Sequence, residues 1–198
     1  DGIVSGSARR VWWRCGHGHA WQIFAYNRTG GADRGCPYCG DRKVLKGYND
    51  LRTTHPKIAR EWNKERNGGL KPTDVIANSN KRVWWKCKEG HEWSGLIASR
   101  ARKGKADPGC PYCSGRKVLV GYNDLATTHP DIATMWHPRM NKRLKPTGVQ
   151  AISRKPVWWR GECGHVYQMA VRDRVRARSG YCPYCSGRKR PERPIRLD

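Results

Sequence analysis

One design occurs three times in the chain and takes up every cysteine in it. The second copy is the plainest: Val83-Trp84-Trp85-Lys86-Cys87, then Gly90-His91-Glu92-Trp93, then Cys110-Pro111-Tyr112-Cys113. The first runs from Val11-Trp12-Trp13-Arg14-Cys15 through His19 and Trp21 to Cys36-Pro37-Tyr38-Cys39. The third runs from Val157-Trp158-Trp159-Arg160 through Cys163, His165 and Tyr167 to Cys182-Pro183-Tyr184-Cys185. The nine cysteines fall three to a copy, each with one histidine at the matching place. Three thiolates and an imidazole form a complete tetrahedral shell for a structural zinc ion, leaving no position open for a substrate. Three cysteines cannot pair among themselves, and nine leave one over, which argues against a disulfide framework.

The candidate ligands are therefore Cys15, His19, Cys36 and Cys39; Cys87, His91, Cys110 and Cys113; and Cys163, His165, Cys182 and Cys185. In the first set His17 competes with His19, and alignment with His91 favours His19. In the third set Gly161 stands where Cys15 and Cys87 stand, and Cys163 lies only two residues before His165. A Cys-x-His pair is a tight chelate, so we expect the loop to differ there or another group to complete the shell. Three zinc ions would place the chain in a reducing compartment inside the cell, whether organelle, nucleus or cytoplasm.

The design recurs inside a longer repeat. Val83 and Val157 lie about 74 residues apart, as do His55 and His129. Between zinc units come Gly47-Tyr48-Asn49-Asp50-Leu51 through Leu70-Lys71-Pro72-Thr73, and the copy Gly121-Tyr122-Asn123-Asp124-Leu125 through Leu144-Lys145-Pro146-Thr147. The order is zinc unit 1 (1–43, a truncated repeat), helical connector 1 (44–76), zinc unit 2 (77–117), helical connector 2 (118–150), zinc unit 3 (151–189) and a basic tail (190–198). The chain opens inside a repeat, Ile3 standing where Val75 and Val149 stand later, so we expect it to belong to a longer protein. No run of 18 apolar residues and no signal-peptide pattern is present.

In the connectors, Thr54-His55-Pro56 and Thr128-His129-Pro130 read as helix starts with a capping hydroxyl and an early proline. Ile58 and Trp62 share a helix face, as do Ile132 and Trp136, and read as core. In the zinc units, Trp21-x-Ile23-x-Ala25, Trp93-x-Gly95-x-Ile97 and Tyr167-x-Met169-x-Val171 alternate as half-buried strands do. Val-Trp-Trp reads as the preceding strand, its two indoles on opposite faces. The fold class expected is small zinc-stabilised α+β modules: three tandem zinc-ribbon or treble-clef-like units joined by short helical connectors.

The charge narrows the function. The 198 residues include 40 Lys and Arg against 16 Asp and Glu, a formal +24, which three Cys3His zinc sites would lower to about +21. A surplus of that size points to a polyanionic partner, most often nucleic acid. Hydrophobic residues make up only 37%, with ten Trp and one Phe, so most indoles are needed as core and at most one ring per zinc unit is free. Candidate nucleic-acid contacts are Arg28, Arg100 and Arg174 at one shared position, Arg102, and the cations behind each last Cys-x-x-Cys: Arg42 and Lys43, Arg116 and Lys117, Arg188, Lys189 and Arg190. Arg172, Arg174, Arg176 and Arg178 alternate, and a continuing strand would put all four on one face and make the C-terminal unit the strongest contact.

Together Asn-Asp-Leu, His-Pro, the helix Trp, Leu-Lys-Pro-Thr, Val-Trp-Trp-Lys-Cys, Gly-His-Glu-Trp and Cys-Pro-Tyr-Cys resemble the probable zinc-ribbon, treble-clef-like tandem-repeat family. Members of that family are sometimes joined to nuclease domains of the very-short-patch-repair type. The resemblance covers nearly the whole chain to about Arg190. It implies a zinc-stabilised nucleic-acid-binding array holding metal through the three ligand sets above.

Three functions compete. An enzyme, most plausibly a metal-dependent nuclease, would need carboxylates held together around its metal. The acids do not recur as a cluster, Glu61 becoming Met135 and Asp74 becoming Gly148, so no catalysis is expected. A protein-binding scaffold explains the zinc but leaves the charge unused. A non-catalytic binding module explains both: an RNA-binding structural component of a ribosome-like ribonucleoprotein assembly, with other proteins as neighbours and neither membrane nor small-molecule substrate. RNA is favoured because no recognition helix stands out for major-groove readout. The alternative is a DNA-binding repeat array of a nuclease-associated or chromatin-type protein.

Overall fold

Two connector segments and the hairpins that follow them form the cores of the molecule. The computed structural model describes residues 2–4, 6–29, 35–102, 104–177 and 180–190. The chain divides into two compact units, 1–110 and 111–198. The described elements are three antiparallel two-stranded hairpins and short helices. No described helix is long and apolar enough to cross a membrane.

Within 1–110, strands β1 (Arg10–Arg14) and β2 (Ala20–Phe24) pair with Trp13 opposite Trp21, and helix α1 (Tyr26–Thr29) follows. Helices α2 (Leu51–Thr54) and α3 (Pro56–Arg60) and a 3-10 turn (Pro72–Asp74) make up the connector. Strands β3 (Arg82–Lys86) and β4 (Glu92–Leu96) then pair with Trp85 opposite Trp93, before helix α4 (Ile97–Arg100). Connector and hairpin share one core. Leu51, Ile58, Trp62, Val75, Val83, Trp85, Trp93 and Ile97 are all buried. The Trp62 and Trp85 rings meet edge to face, 5.5 Å between centroids. The connector also adds to the sheet: Asn63 N donates to Trp84 O (3.1 Å) and Lys86 N to Glu61 O (2.7 Å). The Asn67 side chain bonds both backbone groups of Trp84 at 2.8 Å. The segment around Trp62 thus bridges antiparallel to β3 opposite Trp85.

The unit 111–198 repeats this arrangement. Helices α5 (Leu125–Thr128) and α6 (Pro130–Thr134) pack on strands β5 (Pro156–Arg160) and β6 (Val166–Ala170), followed by helix α7 (Val171–Arg176). Its core holds Leu125, Met135, Trp136, Val149, Val157, Trp159, Tyr167, Val171 and Cys182. Trp136 meets Trp159 at 5.4 Å, and Asn141 again bonds both backbone groups of its strand partner, Trp158. His137 stands in the place of Asn63: Asn63 Oδ1 accepts from the Arg66 amide (3.0 Å), and His137 Nδ1 from the amides of Arg139 and Met140.

Strands and indoles follow the expected alternation, but three expectations need correction. The strands stop one residue early, and Ile97 and Val171 are instead the buried first residues of α4 and α7. Helices α3 and α6 start at Pro56 and Pro130 as expected, but their cap residues His55 and His129 make no side-chain bond, and the capping side chain in each connector is a carboxylate on the preceding helix. Asp50 accepts from Thr53 N (3.0 Å), and Asp124 from Thr127 N (3.1 Å), while Thr54 Oγ1 donates back to Asp50 O. Residues 171–176 form a helix, so the arginines do not share a strand face. Val171, Arg174 and Val175 follow the three-and-four spacing of a helix face, and burying that face decides the matter. Arg178 and most of the basic tail lie outside the described residues.

Among the described residues, strands β1 and β2 have no counterpart of the bridge and ring contact that Trp62 and Trp136 make to the later hairpins. Trp12 is 72% exposed and Ile3 53%, whereas Val75, at the place of Ile3, is 3% exposed. Its later counterpart Trp84 is half-buried beneath the Arg66 guanidinium, 3.6 Å above the ring.

Candidate metal centres

Each hairpin turn bends in the same way to present its ligands. Cys15 N donates to His19 O (3.1 Å), Cys87 N to His91 O (3.1 Å) and Gly161 N to His165 O (3.0 Å). Gly18, Gly90 and Gly164, at φ of 81°, 81° and 80°, close the turn one residue before the histidine. That is backbone a side chain would strain. The second pair of ligands comes from the Cys-Pro-Tyr-Cys knuckle. Its proline carbonyl accepts from the amides of Arg42 and Lys43 (2.8 and 3.0 Å), of Lys117 (2.9 Å) and of Lys189 (2.9 Å).

Turn and knuckle bring together Cys15, His19, Cys36 and Cys39; Cys87, His91, Cys110 and Cys113; and Cys163, His165, Cys182 and Cys185. Within each set all four ligand atoms lie within 4.8 Å of one another. Tetrahedral zinc with bonds of about 2.3 Å to sulfur and about 2.05 Å to nitrogen requires S–N edges of about 3.6 Å and S–S edges of about 3.8 Å. In the first set Cys15 to His19 Nδ1 is 3.5 Å, His19 to Cys39 is 3.3 Å, His19 to Cys36 is 3.7 Å and Cys15 to Cys39 is 3.8 Å. In the second, His91 Nδ1 lies 3.6 Å from Cys87 and 3.8 Å from Cys110. In the third, His165 Nδ1 lies 3.3 Å from Cys163 and 3.5 Å from Cys185. None of the nine cysteines is in a disulfide. The donor sets fit three structural zinc ions, bound through Nδ1 of each histidine.

The third site corrects the expectation of an altered loop. The turn is the same, and only the position that supplies the thiolate has moved. A Cβ built on Gly161 would stand 3.2 Å from Cys163 Sγ, so the thiol reaches the space that a side chain at position 161 would fill. The His165 amide, the largest influence, draws the Cys163 thiol down to about 7. The hydrogen bond with Cys163 pushes Cys185 up to about 11. In the first site burial pushes Cys15 up, but the amides of His17 and His19 outweigh it and leave the thiol below its ordinary value.

Asn49 and Asn123 support the knuckles, and the sequence reading missed them. Asn49, 6% exposed, donates to the carbonyls of Tyr38 (2.9 Å) and Lys43 (3.0 Å) and accepts from Leu45 N (2.7 Å). Asn123 makes the same bonds to Tyr112, Lys117 and Leu119. The repeated Asn-Asp-Leu carried the signal. At the first site the Tyr48 ring also packs on His19 (4.1 Å between centroids), and its hydroxyl points to Cys39 Sγ at 3.8 Å.

Three treble-clef sites in one chain match what family comparison finds. The model of the Probable Treble clef zinc finger domain matches residues 1–42, 58–116 and 132–188. The chain belongs to that family. Among curated proteins, none matches the chain.

The proposed basic contacts separate into two groups. Arg100 and Arg174 are buried, at 5% and 1% exposure, which removes them from the surface. Arg100 lies over Trp85 (4.5 Å) and pairs with Glu61 (2.7 Å) and Asp107 (2.5 Å). Arg174 donates to Met135 Sδ at 2.8 Å, where Met135 replaces Glu61. Arg28 lies over Trp13 and Trp21, and Arg172 pairs with Asp173. Arg42, Lys43, Arg102, Arg116, Lys117, Arg176, Arg188, Lys189 and Arg190 are exposed. The shared arginine position is thus a core feature of the repeat, while the cations behind the knuckles are on the surface.

Proposed function

We propose that the chain is a non-catalytic nucleic-acid-binding array, with RNA as its partner and a ribonucleoprotein assembly as its setting. The observation that carries this reading is the basic cluster behind every knuckle. Arg42 and Lys43, Arg116 and Lys117, and Arg188 to Arg190 are exposed directly behind the knuckles, and in each copy the knuckle's proline carbonyl holds the backbone of the lysine. Presenting cations on a metal-fixed turn lowers the ordering cost of phosphate contact. The longest described helix has six residues, too short to fill a major groove and read base edges. Loops and knuckles suit the irregular backbone and unpaired bases of RNA, and Trp12 offers an exposed ring for stacking. A reducing compartment would keep the thiols available to zinc.

The test compares a single-stranded RNA with a DNA duplex of equal length across salt. If roughly six to ten phosphates are contacted, affinity should fall about 10³–10⁵-fold between about 50 and 200 mM salt. Changing Arg188, Lys189 and Arg190 to Gln should flatten the salt slope by up to about three units with zinc content unchanged. Binding that does not change with salt would point to a protein scaffold instead, and tighter binding to the duplex would favour DNA.

A further inference from the structure

The first metal centre contains a fifth donor that the four-ligand set leaves unused. In the shared turn, the position two residues before the ligand histidine is His17 in the first copy, Glu89 in the second and Cys163 in the third. In the third copy that position supplies the ligand, because Gly161 has no side chain and the Cys163 thiol fills its space. The first copy has donors at both positions, Cys15 and His17. His17 Nδ1 lies 3.6 Å from Cys39 Sγ, the length of an S–N edge of a zinc tetrahedron, although His17 stands outside the four-ligand set. The turn's backbone bonds have the same lengths within 0.1 Å in the first and third copies, so each position is carried on the same scaffold. Glu89 in the second copy pairs with Lys88.

Resting on the three-zinc assignment, we infer that His17 is a reserve ligand of the first zinc ion, interchangeable with Cys15. With Cys15 bound, the site is Cys3His and resembles the second. With His17 bound, it is Cys2His2 and takes the ligand position of the third. The exchange releases the Cys15 thiolate while the metal stays, and raises the site's charge from about −1 to about 0, since one thiolate leaves. The thiol is then open to modification while the metal stays bound.

The experiment uses the full chain, with zinc measured after gel filtration and cobalt substituted for optical reading. The unsubstituted chain must first hold three ions, and a lower count would fail the zinc assignment itself. Cys15→Gly, which copies Gly161, should keep three ions. Its sulfur-to-cobalt charge-transfer band should fall by about one-ninth, as eight of nine thiolates remain. Cys15→Gly combined with His17→Ala should keep two ions and lose about one-third of that band, because the whole site empties. His17→Ala alone should keep three. Two ions in Cys15→Gly, three in the double variant, or a lost ion in His17→Ala would each overturn the assignment.

Discussion

Two adjacent residues, Asn49 and Asp50, serve two different cores. Asn49 holds the preceding knuckle, while Asp50, fully buried, caps the following helix and accepts from Gly47 N (2.6 Å) and Thr53 Oγ1 (2.7 Å). Asn49→Ala should leave the Lys43 carbonyl and the Leu45 amide without their partner and remove one of two bonds to the Tyr38 carbonyl. We expect a loss of about 1–3 kcal/mol, and zinc affinity at the first site reduced about 10–100-fold, as for other supports of metal ligands. Competition with a chelator would measure it. Burial pushes the Asp50 carboxyl up, but its bonds from Thr53 and Gly47 outweigh this and hold it below the ordinary range. Asp124 behaves in the same way. A depressed folded value means the ionised cap stabilises above about pH 4 and the contribution is lost as pH falls through that lower value. Asp50→Asn should therefore be less stable than the parent at neutral pH, and the gap in melting temperature should close in acid. Nothing at single-residue level in the sequence distinguished Asn49 from any loop asparagine. Its role depends on carbonyls up to eleven residues away.

At the scale of elements, hairpins and metal sets were legible because each rests on short-range spacing. Val-Trp-Trp against an alternating partner gives a strand pair, and Cys-x-x-Cys behind a Cys/His turn gives a ligand set. Val171 to Arg176 was misread because Val-Arg-Asp-Arg-Val-Arg satisfies two periods at once. Only the core beneath it, where Arg174 reaches Met135, favours the helix. The partnership of connector and following hairpin was equally hidden, since it joins Trp62 to a strand more than twenty residues on. Trp62→Ala should cost about 3–5 kcal/mol, as loss of a buried indole does. It should also raise the exposure of Trp85, read as quenching of tryptophan emission by acrylamide.

At the scale of the whole molecule, two compact units and three metal sites make stability divisible. Cys182 is both a ligand and part of the second unit's core. Zinc at such sites contributes about 10–16 kcal/mol, comparable with the stability of a whole domain. Cys182→Ser should release one ion of three and melt the core around Trp159, while much of 1–110 keeps its amide protection in hydrogen exchange. A single cooperative loss of both units would show that they fold as one.

The joint at Asn49-Asp50 also constrains how such a chain can change its length over generations. The asparagine faces backward to a knuckle and the aspartate forward to a helix, with no spare residue between them. An insertion or deletion between Cys39 and Asn49 would shift the clamp from the carbonyls of Tyr38 and Lys43, and one between Asp50 and Thr53 would break the cap. Small insertions and deletions here are therefore disfavoured, whereas copying from one Asn-Asp to the next preserves both attachments. Arrays of this kind should lengthen or shorten by whole repeats, with the recombination points falling at this dipeptide's register.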